Sequence, residues 1–196
     1  MVGGPFYNVR LGRKDGMISK LENVEGNLPL VSDSVDQLID MFAGKGFTTK
    51  ELVALSGGHT IGFSHCKEFA GRLFNFSATA PTDPDIYPKF AEKLKVMCGN
   101  FQKDSDMSAF NDVMTPGKFD NMYYQNLPRG LGLLATDNAL GKDPRTKPFV
   151  DMYAVNQTAF FNDFAHAMEK LSVHGVKTGR KGEVRRRCDL FNSIKT

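Results

Sequence analysis

The stretch Glu51-Leu-Val-Ala-Leu-Ser-Gly-Gly-His59-Thr-Ile-Gly-Phe-Ser-His65-Cys66 constrains this chain more than any other. Just before it, Thr48-Thr-Lys-Glu51 has the Ser/Thr-x-x-Glu form of a capping box, in which a hydroxyl and a carboxylate each satisfy a backbone N–H at a helix start. Leu52, Val53 and Leu55 continue a helix that must bury one face. Gly57-Gly58 is predicted to end it, because glycine is the costliest ordinary residue inside a helix. His59 follows at once, lifted out of the core with a ring nitrogen presented to whatever binds there. On spacing alone, a lone histidine beside an apolar run is more often a hydrogen-bonded core or surface residue than a ligand. His59 and His65 lie six apart, outside the i, i+4 zinc pair and the usual zinc-finger spacings.

The flanking pattern is helical. Val35, Leu38, Ile39 and Phe42 recur at i, i+3, i+4 and i+7, with Ser32 or Ser34 able to cap the start and Gly44 suited to the C-terminal cap. A third helix is predicted through Cys66, Phe69, Ala70, Leu73 and Phe74, and a fourth through Phe90, Leu94, Met97 and Cys98. The longest amphipathic stripe is Phe160, Phe161, Phe164, Met168 and Leu171. Residues 3–27, 81–88 and 111–120 read as loop, and residues 121–141 as short helix and turn. No period-two alternation, repeat or low-complexity tract stands out, so the chain reads as mostly helical.

At 196 residues and 21.7 kDa the chain suffices for one domain. A net charge of +3 is too small to argue for nucleic acid, and no apolar run approaches the roughly 20 residues of a membrane span. The basic cluster Lys177, Arg180, Lys181 and Arg185–Arg187 reads first as a solvated tail, and second as a contact for acidic polymers. No signal peptide is visible at the N-terminus. The three cysteines, Cys66, Cys98 and Cys188, are an odd count. The sequons Asn75-Phe-Ser77 and Asn156-Gln-Thr158 permit glycosylation if the chain is exported.

The run from Leu52 to Gly62 resembles the proximal haem-ligand segment of the plant secretory (class III) haem peroxidases nearly residue for residue. Similarity extends through Gly3-Gly-Pro, Leu11-Gly-Arg-Lys-Asp, Asn27-Leu-Pro29, Phe119-Asp-Asn-Met-Tyr-Tyr and Arg186-Arg-Cys188, so it covers almost the whole chain but only the C-terminal part of the family. The resemblance implies an all-α fold, the proximal half of the plant haem-peroxidase fold, with residues 1–196 a single haem peroxidase domain shortened at its N-terminus. It implies haem b, held by His59 as axial ligand, with Asp137 in Leu134-Ala-Thr-Asp-Asn accepting the proton of the other ring nitrogen and giving the ligand imidazolate character. By itself Asp137 reads as a turn aspartate. Asn111 stands where many members place an aromatic residue against the ligand ring, and Tyr7 where many carry Trp.

A calcium site is implied beside the iron, with Thr60, Asp112, Thr115 and Asp120 as ligands and the Lys118 carbonyl as an addition. Hard cations take six to eight oxygens from a loop able to wrap them, although acidic loops are usually just solvated. The resemblance also pairs Cys66 with Cys98 and matches Cys188 to a cysteine whose partner lies upstream in the family; a reactive surface thiol is the other reading of Cys188. Pro29 matches a residue lining the access channel for phenolic donors. The family oxidises such donors with hydrogen peroxide and is exported to cell wall or vacuole. The distal Arg-x-x-Phe-His-Asp-Cys helix of the family has no counterpart, and residues 1–58 hold no histidine. Catalytic distal residues are therefore expected to be missing, no membrane or nucleic-acid partner is expected, and the exposed half-core is expected to promote self-association.

Overall fold

Side-chain caps set the first two helices. The computed structural model describes residues 2–192. Helix α1 spans Val35–Gly44, and its cap is Ser34, whose hydroxyl accepts from Gln37 N at 3.3 Å while Gln37 Oε1 accepts from Ser34 N at 2.8 Å. Helix α2 spans Thr49–Ser56 with the reciprocal Thr48–Glu51 pair at its start. Gly44 is not the C-terminal cap: it is the last residue of α1, and the left-handed turn falls at Gly46, with φ +81°. The next residue, Phe47, returns beneath the helix, where its amide donates to Phe42 O at 2.8 Å and its buried ring meets Phe42 edge-on at 5.9 Å.

Gly57-Gly58 ends α2 at Ser56 as predicted, but without a left-handed cap. Gly57 has φ −62°, and α2 tightens into a 3-10 turn, Gly57–Thr60, that carries His59. Glycine is required at 57 by space. A Cβ there would lie inside contact distance of the Tyr124 hydroxyl and 2.5 Å from Phe160 Cε2.

Those two rings belong to the larger of two cores. Helices α5 (Met122–Asn126), α7 (Lys147–Val155) and α8 (Gln157–Ser172) pack with α2, and α1 lies against α2. Tyr124 and Phe160 are fully buried at the centre, 5.0 Å apart, and Tyr124 donates its hydroxyl to Val53 O at 2.8 Å. Phe119 stacks on Phe160 at 5.6 Å. Helix α7 was not foreseen, because Pro144 and Pro148 bracket its start; a proline in the first turn loses no helical hydrogen bond.

The second core surrounds the Cys66–Cys98 disulfide, which joins residues 32 apart in sequence. The third predicted helix shrinks there to a 3-10 turn, Cys66–Glu68, and one α-turn, α3 (Ala70–Leu73). Helix α4 spans Pro88–Met97. Ahead of Cys66 the chain is extended, since β1 (Phe63–His65) pairs antiparallel with β2 (Ser108–Phe110). Three residues are too few to show alternation, so an all-α expectation did not contain this pair. The fold is mainly helical, 44% helix with two strands among the described residues. One more helix, α6 (Ala135–Leu140), lies beside the turn that carries His59 and completes the site.

Candidate functional site

Three polar side chains meet where α2, α5 and α6 converge. The 3-10 turn after α2 supplies His59, α5 supplies Tyr123 and α6 supplies Asp137. Asp137 is buried, and a single oxygen, Oδ1, accepts from both neighbours: His59 Nδ1 lies at 2.9 Å and the Tyr123 hydroxyl at 2.9 Å. The two rings also meet edge-on at 6.2 Å. The carboxylate of Asp137 holds the His59 pKa above the ordinary imidazole value, against burial, which alone would lower it. Burial first, and then the same carboxylate, push the Tyr123 phenol well above its usual range, so it remains a neutral donor.

This bonding fixes what the imidazole can offer. With Nδ1–H committed to Asp137, the neutral ring presents a lone pair at Nε2, which has no protein hydrogen bond among the described residues. The His59 side chain is 41% exposed and lines a cleft of about 400 Å³. Its other walls are mostly apolar, built from Leu28, Pro29, Leu30, Leu38, Phe42, Leu52, Leu55, Leu134 and Leu140, with Ser56 and Thr136 as the polar exceptions beside Asp137. The donor set suits a flat, largely apolar prosthetic group with a metal that takes one nitrogen. Pro29, placed in the same cleft, shares its mouth with His59.

The acidic loop after β2 closes on the next residue of that turn. Asp112, Asp120 and Thr60 are buried. Thr115 Oγ1 lies 3.2 Å from Asp112 Oδ2 and 3.1 Å from Asp120 Oδ1, and one hydroxyl proton can serve only one of them. Thr60 Oγ1 lies 3.5 Å from Lys118 O and accepts from Asp120 N at 3.4 Å. Asp112 Oδ1 is held by Met114 N, Thr115 N and Asn126 Nδ2. Two buried carboxylates thus face a hydroxyl, with one lysine at 3.6 Å from Asp120 as the nearest cation. Buried charge of one sign is costly unless neutralised, and this ring of carboxylate, hydroxyl and carbonyl oxygens fits a hard cation. No group of three His, Cys, Asp or Glu side chains able to hold a metal occurs among the described residues, so neutral oxygens would have to complete the shell.

The remaining expected positions lie apart from the cleft. Asn111 Oδ1 accepts from Ser64 Oγ at 2.7 Å beside the strand pair, and Tyr123 supplies the aromatic edge against His59. Cys188 is exposed and free. The basic tail is partly engaged: Lys177 and Glu183 bridge to Lys14 and Asp15, Arg187 pairs with Asp189, and Arg185 covers the Phe191 ring at 4.5 Å. No helix of the described residues is long and apolar enough to cross a membrane.

Tyr123 and a buried ion pair were not anticipated. Arg72 Nε donates to Asp83 Oδ2 at 2.8 Å, and Nη1 donates to Gly132 O and Leu133 O, both at 2.7 Å. The pair pins the segment just ahead of α6, which bears Asp137. Its only trace in the sequence is an arginine inside the apolar stripe Phe69, Ala70, Leu73 and Phe74.

A family model described as peroxidase matches residues 1–156. Among curated relatives from Arabidopsis thaliana, Peroxidase 41 is 62% identical over 194 residues, covering 99% of this chain and 58% of that protein. Peroxidase 65 is 59% identical with 99% and 57% coverage, and Peroxidase 6 is 55% identical with 100% and 60% coverage. The chain spans somewhat under two thirds of the length of these relatives. With four fifths of its residues inside the family model and such identity along its whole length, the chain belongs to the peroxidase family.

Proposed function

We propose that residues 1–196 are the proximal portion of one haem peroxidase domain, in which His59 would hold the iron of haem b. The observation that carries this is the His59–Asp137–Tyr123 chain, which leaves Nε2 free at the wall of an apolar cleft. Haem, when bound, supplies the redox chemistry of peroxide reduction. The chain's own part is to hold the ring: Asp137 fixes its tautomer and raises its basicity, and Tyr123 fixes the carboxylate. Thr60, Asp112, Thr115, Asp120 and the Lys118 carbonyl would hold calcium, which neutralises two buried carboxylates and ties the loop to the turn that carries His59. Pro29 lines the same cleft and would contact small phenolic donors, and hydrogen peroxide is the oxidant expected of the family. The buried Cys66–Cys98 bond supports an oxidising destination, the cell wall or vacuole.

Peroxide cleavage needs a base to move a proton between the two oxygens and a donor to stabilise the departing one. This sequence has no Arg-x-x-Phe-His-Asp-Cys segment to supply them. For residues 1–196 taken alone, the second reading is a protein that holds haem and calcium without turnover. A haem titration separates the outcomes. A Soret band lost in His59→Ala is expected under both readings, and its persistence would exclude both. Guaiacol oxidation above the free-haem background supports turnover by this chain itself.

A further inference from the structure

A second cavity, of about 450 Å³, shares no residue with the His59 cleft. It lies within the size range of ligand pockets. One wall is the first turn of α4, another the 3-10 turn Leu127–Arg129, and a third the Val113-Met114 corner of the acidic loop. The walls are fixed to one another and to the core. Tyr87 N donates to Gly130 O at 2.9 Å, and Met114 N donates to the buried Asp112 Oδ1 at 2.8 Å. Gly130, with φ +69°, has no room for a Cβ, which would come within 2.8 Å of Tyr87 N.

The chemistry of the lining is one-sided. Lys89, Lys93 and Arg129 ring the cavity, no carboxylate lines it, and none of the three is in an ion pair among the described residues. Lys89 and Lys93 sit four apart on one helix, where like charges oppose each other. Within this cationic rim the surface is apolar and soft: the Phe90 ring is buried, and the Tyr87 ring and the Met114 thioether are about half exposed. Aromatic faces and a thioether offer stacking and sulfur–ring contacts to a flat apolar body, while an anionic head would relieve the repulsion between the lysines.

We propose that this cavity binds a small aromatic monoanion, its carboxylate held among Lys89, Lys93 and Arg129 and its ring against Tyr87, Phe90 and Met114. The site is separate from the proposed haem cleft and does not depend on it. Calorimetric titration of the full 196-residue chain with 2-naphthoate at low salt tests it. One saturable site is expected. Binding should weaken at least tenfold for the uncharged 2-naphthamide, and at least tenfold in the triple variant K89Q/K93Q/R129Q, whose exposed substitutions leave the circular dichroism unchanged. His59→Ala should bind 2-naphthoate as the parent does, so failure of the haem reading and failure of this one are distinguishable. The proposal is overturned if the acid and the amide bind alike, if the triple variant keeps the affinity, if His59→Ala loses it, or if inorganic phosphate alone displaces the naphthoate.

Discussion

At His59 the decisive quantity is where one proton sits. The carboxylate of Asp137 favours the imidazolium, so the folded pKa lies above the ordinary value and the haem-free chain gains stability from this pair at acidic pH. That gain is complete below the unfolded pKa of about 6.5 and is lost as pH rises through the higher folded value. Metal ligation requires the deprotonated ring, so haem uptake should weaken as pH falls through that raised pKa. Asp137→Asn removes the charge and leaves burial, so the pH midpoint of haem binding, read from the Soret band, is expected to move down. A midpoint unchanged by the substitution would mean that Asp137 does not tune the ligand. Gly57 decides by volume instead. Gly57→Ala places a methyl against the Tyr124 hydroxyl and the Phe160 ring, both fixed in the core, and an over-packing cost of roughly 1–3 kcal/mol is expected from denaturant unfolding. The glycine pair is visible in the sequence as a helix stop, but its packing role needs Tyr124 and Phe160, which lie 67 and 103 positions away.

Between elements, the acidic loop acts as a brace. It runs from β2 to α5 and meets the His59 turn through Thr60, so occupancy of its oxygen ring and the position of the imidazole are mechanically linked. A chelator is expected to lower the melting temperature and weaken haem binding together, and added calcium to restore both. Asp120→Asn should reduce the calcium response while leaving the secondary structure intact by circular dichroism. Loss of haem binding that calcium does not restore would separate the two sites. The disulfide braces the other core, and closing a loop of this length contributes about 4 kcal/mol in the chain-entropy picture. Arg72 and Asp83 do the same work through charge. They are buried with side-chain exposures of only 6% each, and removing either partner would strand the other without water.

For the molecule as a whole, surface area is the informative quantity. A folded monomer of this mass is expected to expose about 9,200 Å². This chain exposes 12258 Å². Large apolar side chains contribute to it: in the N-terminal segment Phe6, Leu11 and Leu21 are each more than four-fifths exposed. The difference, roughly 3,000 Å², exceeds a standard protein–protein interface. The haem-free chain is therefore expected to self-associate, and light scattering during size-exclusion chromatography should give a mass above 21.7 kDa that falls when haem is added. A monodisperse monomer with a single cooperative melt and no haem would contradict this.

Local signals survive in sequence because they are local. The Thr48–Glu51 cap, a serine cap ahead of α1 and the amphipathic stripe of α8 all act within a few residues, and each can be read where it stands. Resemblance carried the pairing of His59 with Asp137 across 78 positions, which no periodicity could do. What the folded chain alone decided was long-range: Tyr123 as a second donor to that carboxylate, Arg72 against Asp83, helix α7 behind its prolines, and the three cations gathered around one apolar hollow. Each depends on which surfaces meet once apolar area leaves water, and that choice is made by packing between elements rather than by preferences within them.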